Sequence, residues 1–262
     1  MTSIFSILNV AVFCSMAVLA AGDSANYSLW PRRPAELEQA RGLLRNQKLQ
    51  QATELLQPFV AEKGIAGREA RQITGAVNVR RYLSGEHPGA TKYKVQRGDN
   101  LARIAGKTSC PPDVIMLLNG LVEPSALKAG QVLVTVPMNL RMEIRPLQRE
   151  LTVWDNRVLV AAYNLHSVDH VAEKQNSATS IKSRDGYING AMLPRHSIQQ
   201  LASDRVIVLE NGWQLVSEGQ PGGTVLRMDR RDLNELTLLM SIGGRVDIVC
   251  DDESFTPAST SQ

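Results

Sequence analysis

The stretch Tyr93-Lys-Val-Gln-Arg-Gly-Asp-Asn-Leu-Ala-Arg-Ile-Ala105 and its closing partner Leu127-Lys-Ala-Gly-Gln-Val-Leu-Val-Thr-Val-Pro137 decide the fold at the centre of this chain. They read in order as a short strand, a Gly98-Asp99 turn, an apolar helix, a second helix closing on Leu118-Asn-Gly-Leu121, a Gly130-Gln131 turn and a final strand. Gly98 lets the chain turn tightly, because it lacks a Cβ. Asp99 can cap the first helix by accepting from its free N–H groups. Asn119 and Gly120 form the loop after the second helix. The result is a compact β-α-α-β unit over residues 91–138.

That order resembles a LysM (lysin motif) module. Such modules bind polymers containing N-acetylglucosamine, chiefly peptidoglycan, and the sugar lies in a groove between the two loops. The resemblance implies that Gly98, Asp99, Asn100, Leu101, Asn119, Gly120 and Leu121 line that groove. The chemistry suits short polar loops, since an uncharged amino sugar needs main-chain donors and acceptors over a modest apolar floor. Asp99 and Asn119 read equally well as caps of a helix and a turn. The sequence departs from the family at Asn100, commonly Thr, and at Ala102, often aromatic or polar; both changes bear on affinity more than on fold. One module binds weakly, so retention on a polymer gains from repeated contacts.

N-terminal to the module, Pro34 suits the first position of a helix. Leu37, Ala40, Leu43 and Leu44 make one apolar stripe, and Ala52, Leu55, Leu56, Phe59 and Val60 make a second. Gly64 and Gly67 interrupt the pattern. A third helix then runs to Leu83 with Ala70, Ile73, Val77 and Tyr82 inward. Residues 34–84 thus read as a helical segment whose first pair resembles a single TPR-type hairpin. One repeat cannot bury its apolar face alone, so it must dock on something. Ser84-Gly-Glu-His-Pro-Gly-Ala90 reads as a linker.

From residue 139 to 250 the period changes to two. Leu140-Arg-Met-Glu-Ile-Arg145 alternates, and Arg149 to Tyr163 reads as a hairpin turning at Asp155-Asn156. Further strands are expected near 177–183, 205–209, 214–217 and 245–249, with a helix over 230–240. Leu151 to Leu165 and Thr224 to Ile248 resemble the opening hairpin and the closing helix and strand of L,D-transpeptidases. Those enzymes carry a Cys nucleophile in Ser-His-Gly-Cys-x-Arg, with a second His upstream. Here the run is Gly222-Gly-Thr-Val-Leu-Arg227, so Gly223 stands for the His and Val225 for the nucleophile. Arg227 is kept, and Asn211 falls near the upstream His. A valine forms no acyl-enzyme, so the resemblance implies a shell without that thiol chemistry.

Composition narrows the rest. The 262 residues suffice for more than one domain, and the apolar share of 43% is ordinary. Aromatics at 5% and a net charge of +3 argue against a dedicated nucleic-acid binder. Cations crowd one third of the chain (Arg68, Arg71, Arg80, Arg81, Lys92, Lys94, Arg97, Arg103 and Lys107); they read as a solvated face or as attraction to an anionic envelope. Ile4 to Ala21 is uncharged and apolar, and Ala20-Ala21 suit cleavage, so residues 1–21 read as a signal peptide. If uncleaved, the segment would anchor the chain in a membrane. Cys14 would leave with it. In an oxidising compartment Cys110 and Cys250 can pair, which would pin the module to the C-terminal domain. Cys250, beside Asp251 and Asp252, is a poor nucleophile. His166 and His170 have a ligand-like spacing but fall at a strand end with no third ligand, His196 suits a turn, and His87 sits in the linker. No metal or cofactor site is expected. The tail 251–262 reads as disordered.

The chain therefore reads as an α+β multidomain protein. It would be exported to the periplasm or envelope, bind peptidoglycan and keep an inactive C-terminal domain. A diverged peptidoglycan transferase or hydrolase is one alternative. Another is an envelope scaffold holding other cell-wall proteins through its helical hairpin.

Overall fold

A computed structural model describes residues 34–169, 176–188, 191–192, 204–218 and 222–250. The expected signal peptide, the 251–262 tail, His170 and His196 lie outside the described residues.

The fold is α+β, with the helices first and the large sheet last. Helices α1 (Ala35–Arg45) and α2 (Leu49–Leu56) bring Leu37, Ala40, Ala52 and Leu56 together in a small core closed by Ala70. Ala70 belongs to α3 (Gly64–Ser84), so the hairpin does dock, and it docks on the next helix. The two glycines expected to interrupt helix instead begin it and lie inside it. Gly67 is there because the Glu62 carbonyl passes over it; an added Cβ would sit 1.9 Å from that oxygen. Gly75, in mid-helix, rests on the main chain of the sheet, where a Cβ would come within 2.5 Å of the Ala162 nitrogen. Close backbone approach outweighs the poor helix propensity of glycine at both positions.

The sheet that receives α3 begins with β3 (Leu140–Arg145), β4 (Glu150–Asp155) and β5 (Val158–Asp169). Arg71 of α3 makes a bidentate pair with Glu150, at 2.9 and 2.8 Å, and also donates to the carbonyls of Val60 and Glu62. Both side chains of the pair are buried. Asn78 donates to the Leu159 carbonyl and Tyr82 to the Asp155 carboxylate. Burial, reinforced by that carboxylate, pushes the Tyr82 hydroxyl far above its ordinary range.

Strands β6 (Ser177–Ile188), β7 (Ala191–Met192), β8 (Asp204–Leu209), β9 (Gln214–Val216), β10 (Val225–Met228) and β11 (Arg245–Ile248) complete the sheet. Its order is β11-β3-β4-β5-β10-β9-β8-β6, and β6 pairs again with β11, so eight strands close a ring with β7 appended to β6. The long β6 does this by serving two neighbours: Ser177–Ser180 pairs with β11, and Ile181–Tyr187 pairs with β8, with a register shift between Ile181 and Ser183. The period-two pattern holds. On β3, Met142 and Ile144 are fully buried, whereas Arg141 and Arg145 turn outward and close over Glu143. Asn156 at φ 52 makes the turn of the expected hairpin. Helix α6 (Arg230–Leu239) lies against β8 and β9 and buries Leu233, Leu236 and Leu239.

Between these parts sits the β-α-α-β unit, formed by β1 (Thr91–Lys94), α4 (Leu101–Thr108), α5 (Pro112–Leu118) and β2 (Val132–Thr135). It shares one continuous core with the barrel, running from Val79 and Tyr82 through Ile104, Ile115 and Leu133 to Met142, Leu226 and Ile248. The expected linker is no free tether. Gly85, at φ 75, ends α3, and its Cβ position lies within 3.7 Å of both Leu118 and Val134. Arg184 of β6 pairs with Asp113 at 2.8 Å and donates to the carbonyls of Thr237 and Met240 at the end of α6.

The pairing of Cys110 with Cys250 is not formed: both are free buried thiols. The Cys110 sulfur accepts from the Val136 N–H, and burial pushes its thiol up to about 11. Each cysteine has a packing role that needs no bridge. Among the described residues no helix is long and apolar enough to cross a membrane.

Candidate functional site

The antiparallel pairing of β1 with β2 sets Thr91 opposite Thr135 and Lys94 opposite Val132. Both loops of interest, 95–100 and 119–131, therefore emerge at the same end of this small sheet. Two main-chain bonds between Val95 and the Gly130-Gln131 turn, each 2.8 Å, hold them together there.

In the first loop the sequence assigns helix capping to Asp99, and the structure assigns it to Asn100. The Asn100 side chain accepts from the Arg103 N–H at 2.8 Å and its carbonyl from the Ile104 N–H. Asp99 is turned back instead. Its carboxylate accepts from Lys107 at 2.9 Å, from the Gln96 N–H at 2.9 Å and from the Tyr93 hydroxyl at 2.7 Å. Its side chain is only 2% exposed. These donors, Lys107 first, hold the carboxyl down at about 2 and raise the Lys107 ammonium, which also lies 5.7 Å above the Tyr93 ring. Asp99 is an anchor for the loop. Gly98 turns the loop at φ 83 with open space where a Cβ would be, and its carbonyl accepts from Arg103. Leu101 is a core residue, 5% exposed, so its side chain does not line a groove. What the α4 end offers is its main chain. Among the described residues, the N–H groups of Leu101 and Ala102 meet no protein acceptor.

In the second loop Asn119 has its amide fully engaged. Its nitrogen donates to the carbonyls of Ile115 and Val134, each at 2.8 Å, and its oxygen accepts from the Val134 N–H at 2.7 Å. It clamps α5 to β2. Gly120, at φ 61, is exposed and faces open space, and Leu121 is half-buried against the core. Sequence reasoning missed the apolar side chains around this loop. Leu117, Val122 and Val132 are 44, 58 and 54% exposed. The available signal for Val132 is its place on the outward side of a strand whose alternate residues, Leu133 and Thr135, carry the inward pattern.

The positions that the transpeptidase resemblance marks also come together. Asn211 and Gly212 turn between β8 and β9, and Gly223 lies close by, its Cβ position 3.9 Å from the Gly212 carbonyl. The Gln214 N–H donates to the Thr224 carbonyl at 3.0 Å. The Asn211 side chain accepts from the Trp213 N–H. Val225 opens β10 and is 2% exposed. Arg227 pairs with Asp169 at 3.4 Å. The two turns adjoin and present Asn211, Gly212 and Gly223, with Val225 buried behind them. His166 is exposed on β5, beside Asp232, whose carboxyl burial pushes up. Among the described residues, no three His, Cys, Asp or Glu side chains are placed to hold a metal.

Comparison with known proteins gives one family match: residues 93–135 match the LysM domain. No curated protein matches the chain. Among solved structures, L,D-transpeptidase 1 of Mycobacterium tuberculosis aligns over 46% of this chain and 67% of its own, at 9% identity and a TM-score of 0.30. An L,D-transpeptidase from Xylanimonas cellulosilytica DSM 15894 aligns over 84% of this chain and 97% of its own, at 14% identity and a TM-score of 0.32. The chain carries a LysM domain at residues 93–135.

Proposed function

We propose that this chain is an exported envelope protein that holds peptidoglycan at the loop end of its LysM domain, and that its β domain carries out no thiol-based transfer. One observation carries the reading. The domain that matches LysM sends both loops from one end of its sheet, with unengaged N–H groups at Leu101 and Ala102 and exposed Leu117, Val122 and Val132 nearby in the chain. Main-chain donors fit the acetamido carbonyl and hydroxyl oxygens of an amino sugar. The apolar side chains fit its acetamido methyl and ring faces. Gly98 and Gly120 keep the rim low, and Asp99, Asn100 and Asn119 fix its shape. The absence of transfer chemistry rests on Val225 and Gly223 at the positions the transpeptidase resemblance gives to nucleophile and base. Export rests on the apolar stretch 4–21.

The test is retention of the full chain on purified peptidoglycan sacculi. Val122→Asp, at a 58% exposed position of the second loop, puts a charge on the apolar rim without touching the core. It is expected to abolish retention and leave the thermal midpoint unchanged. Unchanged retention by this variant would remove the site. Incubation with tetrapeptide muropeptides, read by mass spectrometry, is expected to give back the starting material. A new cross-link would overturn the inactive assignment.

A further inference from the structure

The LysM region from Thr91 to Pro137 contains six cations and three carboxylates. The structure shows which of them are satisfied. Asp99 faces Lys107, and Asp113 faces Arg184. Arg103 is directed onto the Gly98 carbonyl. That leaves Lys92, Lys94, Arg97 and Lys128, all exposed and with no carboxylate partner among the described residues, against the single exposed Glu123. The four are not scattered. Lys92 and Lys94 alternate along β1, and their register opposite Val134 and Val132 puts them on the outward face of the small sheet. Arg97 stands in the first loop and Lys128 in the second, in the turn closed by the Gln131 N–H on the Lys128 carbonyl. Lys94, Arg97 and Lys128 therefore lie at the end of the sheet from which the glycan loops emerge, and Lys92 continues the same outward face two residues further along β1. A neutral amino-sugar chain has no use for this excess charge, whereas a glycan bearing carboxylates does.

We infer that the LysM site selects a carboxylate-bearing amino-sugar polymer over a neutral one, with Lys92, Lys94, Arg97 and Lys128 as the specificity-determining side chains. The inference rests on the glycan-binding reading above and names the ligand class within it. In peptidoglycan the charge comes from the stem peptides, or from the lactyl group once the peptide is removed. Chitin-type oligomers have none.

The experiment measures affinity of the full chain for three ligands at about 50 and about 300 mM salt, a range over which the screening length falls below the reach of surface charges. The ligands are soluble peptidoglycan strands with stem peptides, a neutral N-acetylglucosamine oligomer and polyglutamate. The peptidoglycan strand is expected to bind about ten-fold more tightly than the neutral oligomer at low salt, equivalent to about 1.4 kcal/mol, and the gap is expected to close at high salt. Replacing the four cations by Gln should cost about ten-fold for the peptidoglycan strand, consistent with exposed charges of a few tenths of a kcal/mol each. The neutral oligomer should change by less than about two-fold. Equal, salt-independent affinity for the two glycans would overturn the inference while leaving glycan binding intact. Polyglutamate binding as tight as the peptidoglycan strand would overturn it as well. Failure of both glycans to bind would remove the glycan reading itself. If the four-fold variant does not fold, the wild-type salt series decides alone.

Discussion

Two side chains that the LysM resemblance sets in the groove, Asp99 and Asn119, fasten its loops, and this changes what their mutation reports. Asn119→Ala removes the two hydrogen bonds that tie the end of α5 to β2 and a third to the Ile115 carbonyl within α5, and leaves the Val134 main chain unpaired. It should destabilise the protein by about 2–3 kcal/mol, read from chemical denaturation. Loss of binding by this variant should follow the loss of fold; weakened binding at full stability would instead make Asn119 a direct ligand. Asp99 titrates well below its ordinary 3.8, at about 2. Its anchoring is therefore fully present above the ordinary value and is lost as pH falls through the depressed one. Binding of a neutral N-acetylglucosamine oligomer, which itself does not titrate, should stay flat as pH is lowered to about 4 and decline toward about 2. Asp99→Asn, mimicking the protonated acid, should reproduce the loss at neutral pH. An Asp99→Asn protein with unchanged binding would show that Lys107 and Tyr93 do not hold the loop through this carboxylate. The exchange of roles between Asp99 and Asn100 is not legible in the sequence for a simple reason. Either residue type caps a helix, and the donors that turn Asp99 inward, Lys107, the Tyr93 hydroxyl and the Gln96 N–H, are brought to it only by the fold.

At the scale of the element, α3 joins the helical segment to the barrel. Besides the Asn78 and Tyr82 hydrogen bonds, a glycine and an ion pair attach it there. Gly75→Ala forces a methyl group into the β5 main chain and should cost about 1–3 kcal/mol. Arg71→Ala strands the buried Glu150 carboxylate and should cost about 3–5 kcal/mol. Urea midpoints check both, and midpoints unchanged from wild type would mean that α3 does not rest on the sheet. The elements themselves are largely readable. The Gly98-Asp99 turn, the apolar stripes of α1 and α2, and the alternation of β3 to β5 are all signals within a few residues. What escapes is long-range. Gly67 and Gly75 count against helix on local propensity alone; a carbonyl and a strand passing close by make glycine the residue that fits there. Strand β10 reads in the sequence only as a motif remnant. Its strand character comes from partners on β5 and β9 that no local pattern announces.

At the scale of the molecule, the LysM domain is carried rigidly. It shares its core with the barrel, takes α3 directly through Gly85 and is tied to β6 and α6 through Arg184. The closure of the ring by β6 on β11 gives that support no free edge at this point, and it too is invisible to sequence patterns because the paired strands are about 70 residues apart. One end of the domain stays open, with its loops, free donors, apolar rim and unpaired cations. The direct test is a backbone amide NMR titration of the full chain with a short peptidoglycan or N-acetylglucosamine oligomer. Shifts should concentrate at residues 96–103 and 117–123, with the amides of Leu101 and Ala102 among the largest, while β8 to β10 stay still. No shifts at millimolar ligand, or shifts confined to the turns around Gly212 and Gly223, would contradict glycan binding by the LysM domain.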